Sequence, residues 1–229
     1  MTAPVTRLRV LSYNIHGLRD DAHAVARVLR AADADVVCLQ EAPKFLAWRG
    51  RCAALARRSD LLYAGGGGTT GGTALFTSIR VDVREVQEHQ LRRTPGLTKR
   101  GVVIARLAKN GVEFSAASIH LGLDPAERAR HLTDITGLVN RLGLATTVIA
   151  GDINEKPDAM TWARLVTQYT DAAAGDDTPT FSATNPRRKI DGIFVRGGIE
   201  VESARVVDSP DVRAASDHRP VVADLVLTG

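Results

Sequence analysis

Near its C-terminus the chain reads Ala215-Ser216-Asp217-His218-Arg219-Pro220-Val221, an acid beside an imidazole, closed by proline and opening an alternating apolar run from Val221 to Leu227. Four more polar clusters stand where apolar runs stop. They are Asn14 after Leu8-Val10-Leu11, Glu41 after Val36-Val37-Cys38-Leu39, His120 after Phe114 to Ile119, and Asp152 with Asn154 after Val148-Ile149-Ala150. Carboxylates, imidazoles and carboxamides at the mouths of several strands supply ligands for a hard cation, a base for water and donors for an anionic transition state. One site at one edge of a sheet, doing metal-dependent hydrolysis, is the expectation.

Each residue has a plainer alternative. Glu41 ends a strand, where a lone charge is costly unless paired or metal-bound, and a magnesium ion would satisfy it; it could instead cap the next helix. Asp152 and Asn154 are two apart, so an extended segment would place both on one face as a water-orienting carboxylate beside an amide donor. Gly151-Asp152 is equally a turn dipeptide, and an Asx turn is the alternative there. Asp191, within Lys189-Ile190-Asp191-Gly192-Ile193-Phe194-Val195, is a charge amid apolar neighbours and needs a partner, for which His218 is the natural candidate. That pairing would fix the tautomer of His218 and favour its imidazolium. No Gly-x-Ser-x-Gly elbow accompanies the pair, so metal-assisted phosphate chemistry is better supported than acyl transfer. His120 could donate to a phosphoryl oxygen or be a satisfied structural histidine.

The elements that must hold these residues alternate along most of the chain. Leu8 to Tyr13 reads as a strand, followed by an acidic helix start at Asp20-Asp21 with Val25, Val28, Leu29 and Ala32 at helical spacing. Val36 to Leu39 reads as a buried strand, then a helix with Phe45, Trp48, Cys52 and Leu55 on one face. The glycine-rich run Gly65 to Gly72 lacks the Gly-Lys-Ser/Thr ending of a nucleotide-binding loop and reads as a mobile loop before the strand Thr73 to Thr77. Strands follow at Val81 to Val83, Val102 to Leu107 and Val112 to Ile119. A helix from Pro125 carries Leu132, Ile135, Val139 and Leu142, and after the strand Thr147 to Ala150 another carries Trp162, Leu165, Val166 and Tyr169. The final third returns to strands at Ile190 to Val195, Val201 to Val207 and Pro220 to Leu227. Runs of strands without intervening helices exclude a purely parallel sheet and favour two sheets face to face with helices outside.

Length and composition set bounds. A chain of 229 residues, 44% hydrophobic and 24% charged, has ample material for a core and is read as a single domain over 1–229. The start, Met1 to Arg7, leads into an apolar run too short for a signal peptide, and no stretch approaches the roughly 20 apolar residues of a membrane span. A cytoplasmic monomer is the expectation. Cys38 and Cys52 have neither CxxC spacing nor a zinc ligand set and are read as packing residues. The formal charge of +4 suits a polyanionic partner without requiring one.

Six segments, in order, resemble the endonuclease/exonuclease/phosphatase superfamily, which includes deoxyribonuclease I and exonuclease III-type enzymes. They are Ser12 to Gly17, Leu39-Gln40-Glu41, Ser118-Ile119-His120-Leu121, Gly151-Asp152-Ile153-Asn154, Lys189 to Val195, and Ser216 to Pro220. The resemblance implies a four-layer α/β sandwich of two packed, mixed but mainly antiparallel sheets flanked by helices. It implies that Glu41 ligates magnesium, with manganese as a substitute, and that Asn14 and Asp217 lie close to the ion. It further implies that Asp191 orients His218 toward the scissile phosphate, that Asp152 activates or orients water, that Asn154 stabilises the five-coordinate phosphorus and that His120 donates to a nonbridging oxygen. Arg100, opening a strand as in relatives, becomes a candidate phosphate contact. Two departures stand out. Gly192 follows Asp191 where relatives often carry tyrosine, which would remove a ring near the site and widen it. His131 stands where they often carry glutamine.

The substrate read from these features is a phosphate ester, with DNA or RNA first. Arg92-Arg93, Lys99-Arg100 and Arg187-Arg188-Lys189 are basic loop clusters suited to backbone phosphates, although simple solubilising charge would look alike. Aromatic residues make up only 4%, which leaves few platforms for stacking bases. A phosphatase or phosphodiesterase acting on small esters or phosphoinositides is the alternative; a lipid substrate would call for an apolar loop at the mouth, and none is evident. A catalytically silent scaffold is the third reading, set against the retention of Glu41, Asp152 and His218.

Overall fold

A computed structural model describes residues 5–228, so the first four residues of the stretch read above for a leader lie outside the described residues. Strands β1 (Thr6–Asn14), β2 (Val36–Gln40), β3 (Leu62–Gly66) and β4 (Ala74–Thr77) belong to one sheet. Strands β5 (Asp82–Gln90), β6 (Gly101–Lys109), β7 (Val112–His120), β8 (Thr147–Asp152), β9 (Thr170–Asp171) and β10 (Asp191–Arg196) form the other. The last two, β11 (Ile199–Val206) and β12 (Val221–Leu227), return to the first. The strand orders are β11-β12-β1-β2-β4-β3 and β5-β6-β7-β8-β10-β9. One pair in each sheet, β1 with β2 and β7 with β8, is parallel; the other pairings are antiparallel. Helices α1 (Ala22–Ala32), α2 (Trp48–Arg58), α3 (Pro125–Arg141), α4 (Met160–Val166) and α5 (Pro210–Ala215) complete the chain.

Alternation along the strands makes the layers. Every second residue of the central strands, among them Val10, Val36, Cys38, Ala116, Val148, Ala150 and Ile193, enters a core between the sheets. The residues between them, such as Leu11, Val37 and Leu39, enter a core with α1 and α2 on one outer face, while Ile119, Ile149 and Phe194 enter a core with α3 and α4 on the other. The result is the expected four-layer α/β sandwich. The period of two has a further consequence. Counting onward in steps of two from Val10, Cys38, Ala116, Val148 and back from Ile193 leads to Asn14, Gln40, His120, Asp152 and Asp191. The inter-sheet core therefore ends in a polar rim, and that rim is the site.

Several local expectations change. Phe45 precedes α2 and is 74% exposed, because the helix begins only at Trp48. Val166 is exposed, and Tyr169 is buried beyond the end of α4 rather than on it. The run Gly65 to Gly72 is not a free loop. Gly65 and Gly66 belong to β3, and the remainder is a turn tied down by Gly67 N–H to Thr73 O (2.6 Å) and Gly72 N–H to Gly67 O (2.8 Å). Gly66 and Gly67 have φ of 92° and 99°, which only glycine adopts freely. Strand β5 is far longer than Val81 to Val83, and α5 and β9, six and two residues long, had no sequence signal. Cys38 and Cys52 are buried free thiols.

Candidate active site

Register assembles the centre. Asp152 at the end of β8 lies opposite His120 on one side and Asp191 on the other, and directly opposed residues of neighbouring strands share a face. Across the gap between sheets, Asn14 closes β1 and donates from Nδ2 to Asp152 Oδ2 at 3.1 Å. His218 arrives from the turn before β12. Its backbone N–H bonds Ser216 Oγ (3.1 Å), while that hydroxyl donates to Asn14 O (2.7 Å), tying the turn to β1.

Asp152 is 1% exposed. Its Oδ1 accepts from Asn154 N–H at 2.8 Å, and its Oδ2 also faces His120 Nε2 at 3.3 Å and His218 Nε2 at 3.8 Å. Burial, together with the charge of Asp191, pushes its carboxyl up to about 7, against His218 and the bonds from Asn14 and Asn154. His218 Nδ1 sits 3.0 and 3.2 Å from the two oxygens of Asp191. Burial works against its charge, but Asp191, aided by Asp152 and Asp217, outweighs it and raises the imidazole to about 9. His218 is an imidazolium at neutral pH, held between two carboxylates.

His120 behaves in the opposite way. Burial, reinforced by the charges of Arg100, His218 and Lys44, drives it well below its ordinary value, so the ring is neutral. Arg100 Nη1 lies 2.9 Å from His120 Nδ1. A guanidinium has only donors, so Nδ1 accepts and the ring proton sits on Nε2, aimed at Asp152. Asn154 Nδ2 donates to Leu121 O at 2.9 Å; its 3.2 Å approach to His120 Nε2 then joins two donors and is a contact rather than a bond.

These positions revise the sequence reading. Asp152 and Asn154 do not share an extended segment: Asn154 has φ of 56° and its N–H closes an Asx turn on Asp152. Arg100 Nη1 reaches His120 Nδ1 at 2.9 Å, which takes one of its five donors and leaves Nε without a partner. Lys189 of the third basic cluster is buried, donating to Ala173 O and Asp176 O at 2.9 and 2.8 Å. Arg92 is paired with Asp134 at 3.0 Å, and His131 is buried with Nε2 2.9 Å from Arg92 O. Gly192 lies on the outer face of its sheet. A Cβ there would meet the rings of Phe194 and Trp162 at 2.9 and 3.0 Å, so its bareness makes room for those rings and leaves the mouth unaffected.

Sequence reasoning missed Phe181. Its ring lies 4.9 Å from that of His218, under the Arg188 guanidinium at 4.7 Å. It sits in an irregular segment fixed by single bridges to Arg188 and His218, so no periodicity marks it.

The residues expected around a cation are arranged more loosely. Glu41 follows Gln40, the register partner of Asn14, and does not cap α2, whose N-cap is Ala47. Its carboxylate has no hydrogen-bond or ion-pair partner among the described residues, although Lys44 and Arg100 feel its charge. The Asp217 side chain is 40% exposed, with His16 Nδ1 4.0 Å away. Asp152, Asp191 and His218 converge more tightly, with ligand atoms within 4.8 Å of one another. The imidazolium already fills that position, so a metal there would have to displace its proton. The unpaired Glu41 carboxylate and that of Asp152, whose charges are both felt by Arg100, form an oxygen-rich set that fits a hard divalent cation.

A family model for the endonuclease/exonuclease/phosphatase family matches residues 11–218. No curated protein sequence matches the chain. Among solved structures, an endonuclease/exonuclease/phosphatase from Bacteroides vulgatus superposes with a TM-score of 0.82 at 21% identity, covering 97% of this chain and 100% of that one. A mannosyl-6-phosphatase from Bacteroides thetaiotaomicron gives 0.80 at 19% identity over 96% and 100%. TDP2 of D. rerio, solved with a single-stranded DNA product, gives 0.72 at 17% identity over 96% and 99%.

Proposed function

The chain belongs to the endonuclease/exonuclease/phosphatase family, and from that premise we propose that it is a divalent-metal-dependent phosphoesterase hydrolysing phosphodiester bonds of nucleic acid. The observation that carries this reading is geometric: the buried Asp152 Oδ2 faces His218 Nε2 at 3.8 Å and His120 Nε2 at 3.3 Å, while Asp191 holds His218 Nδ1 at 3.0 Å. Asp152 Oδ2 takes a proton from water; a base poised near neutrality combines ionised form with driving force. His218, held charged by Asp191, presents Nε2–H to the phosphoryl oxygens as negative charge builds. Neutral His120, its Nδ1 blocked by Arg100, offers a second N–H from Nε2, and Asn154 and Asn14 hold the Asp152 carboxylate in line. Glu41 and Asn14, with Asp217 nearby, would hold magnesium or, in its place, manganese. When bound, the ion polarises the phosphate and neutralises developing charge.

Nucleic acid is favoured because the exposed cations Arg93, Lys99 and Arg187 stand on loops at the strand ends that form the site and have no ion-pair partner among the described residues. Each suits a backbone phosphate. No helix of the described residues is long and apolar enough to cross a membrane.

The test is turnover of plasmid DNA, single-stranded RNA, a generic phosphodiester and phosphomonoesters, with magnesium, with chelator, and with the Asp152→Asn protein alongside. Chelator-sensitive polymer cleavage, lost in the variant, is expected. Phosphate release from small esters with polymers untouched would replace the nucleic-acid assignment by a phosphatase.

A further inference from the structure

Arginines remote from the site are mostly spent on carboxylates. Arg27 holds Asp211 at 2.8 Å, Arg30 holds Asp60 at 2.9 Å, and Arg80 holds Asp33 and Asp35 at 2.9 and 2.7 Å. Beside Glu41 the pattern changes. A recess of about 140 Å³ opens there, lined in part by Gly17, Arg19, Glu41, Pro43, Lys44 and Arg51. Arg19, Lys44 and Arg51 come from two separate loops and from α2, and none has a hydrogen-bond or ion-pair partner for its charged group among the described residues.

Glu41 is the one carboxylate in that lining. Asp20, next to Arg19, is already held by His16 at 2.7 Å. Three cations against one carboxylate leave the recess positive, and a divalent ion on Glu41 would make it more so. Lys44 is half-buried. Burial, and then Arg100 and Arg19, work against its ammonium while Glu41 supports it. Like charges held together against desolvation are costly unless an anion joins them. The turn Gly67 to Gly72 fixes the wall, because Gly72 O accepts from Ala42 N–H at 2.8 Å and a Cβ on Gly72 would approach Lys44 Cδ at 3.4 Å.

We propose that this recess is a second anion subsite of the same centre, holding a phosphoryl group next to the scissile one in substrates that carry two. The inference rests on the phosphoesterase reading above and adds the substrate's minimum composition. Arginine forks and a lysine point charge bind phosphate oxygens through charge-assisted hydrogen bonds. The second phosphate has two sources, the neighbouring phosphodiester of a strand or another phosphate of a small polyphosphorylated molecule.

Binding is measured by calorimetry with magnesium on the Asp152→Asn protein, using the thymidine dinucleotide TpT against pTpT and TpTp, and inositol monophosphate against inositol bisphosphate. The second phosphate is expected to tighten binding about tenfold or more in at least one of the two series. Lys44→Ala or Arg51→Ala should bring that ratio close to one, Lys44→Arg should retain most of it, and Arg57→Ala at the far end of α2 should leave it alone. The series that shows the effect identifies the source. Equal affinity for one and two phosphates, or a ratio untouched by both alanine variants, overturns the subsite. Absence of turnover by the parent on any ester, with the binding ratio intact, would sink the hydrolase reading and leave the subsite standing.

Discussion

Asp152 and Asp35 are both buried aspartates of this sandwich, 1% and 3% exposed, yet their carboxyl groups shift in opposite directions. Asp35 lies at the entrance of β2, the end away from Glu41. It receives Arg9 N–H at 2.9 Å, Lys109 Nζ at 2.7 Å and Arg80 Nε at 2.7 Å. Burial opposes its charge, but these donors outweigh it and hold the carboxyl below its ordinary value. Asp152 is equally closed to solvent but lies deeper, with a second carboxylate as neighbour and mostly neutral donors. Low exposure alone therefore does not distinguish structure from chemistry; depth and the sign of the charge left over do. One edge of the fold is neutralised from within; at the other, the carboxylates of Asp152 and Asp191 share a single imidazolium.

The largest expected effect at the active edge is on rate. Asp152→Asn keeps shape but loses the base, and turnover should fall by about 10³-fold, while the metal-free protein should be as stable as its parent or more so. Activity within tenfold of the parent would break the contrast. Asp35→Asn should do the reverse. Removing one partner of a buried charge cluster costs about 3–5 kcal/mol when the remaining charges are sealed. Arg80 is 44% exposed and can turn to solvent, so a loss of about 2–3 kcal/mol is expected by denaturant unfolding, with kcat unchanged. A smaller effect is expected at Glu41. Glu41→Gln should raise the magnesium concentration for half-maximal activity about tenfold or more, leaving unfolding of the metal-free protein little altered.

The two edges differ equally in how much of them could be read from sequence. Asp152 and Asp191 were legible because each ends an apolar alternation, where a polar residue at the next inward step contradicts the core it extends, whereas Asn154 and His218 lie in turns and were legible only through the segments Gly151 to Asn154 and Ser216 to Pro220. The sandwich followed from the same period, through uninterrupted strand runs such as Val102 to Ile119. Asp35 sends no such signal, since its partners Arg80 and Lys109 lie 45 and 74 residues further on and meet it only when the sheets close. Phe181 is in the same position, packed on His218 from an irregular segment. Local pattern reports which face a residue takes; it does not report what crosses the gap. That is also why the contact of Arg100 with His120 was missed, and why nothing in the sequence singled out the three cations beside Glu41.

The finest expected difference lies in how the two variants' stabilities depend on pH, measured by thermal unfolding of the metal-free proteins. Asp152 has a folded value raised to about 7. A raised group stabilises the fold below its unfolded value, near 4, and loses that contribution as pH climbs through its folded value. The advantage of Asp152→Asn over the parent should therefore be greatest above pH 7, about 1 kcal/mol or more, and should shrink as pH falls toward 4. Asp35 has a lowered value, so its contribution is complete above pH 4 and fades only below it. The penalty of Asp35→Asn should stay level from pH 8 to pH 5 and diminish only in more acid solution. His120, lowered, and His218, raised first by Asp191, titrate in the parent and in both variants; because Asp152 also supports the imidazolium of His218, the Asp152→Asn curve carries the loss of that support as well. Two parallel curves would mean that the carboxylates share one kind of environment, and the division between a neutralised edge and a charged one would fail.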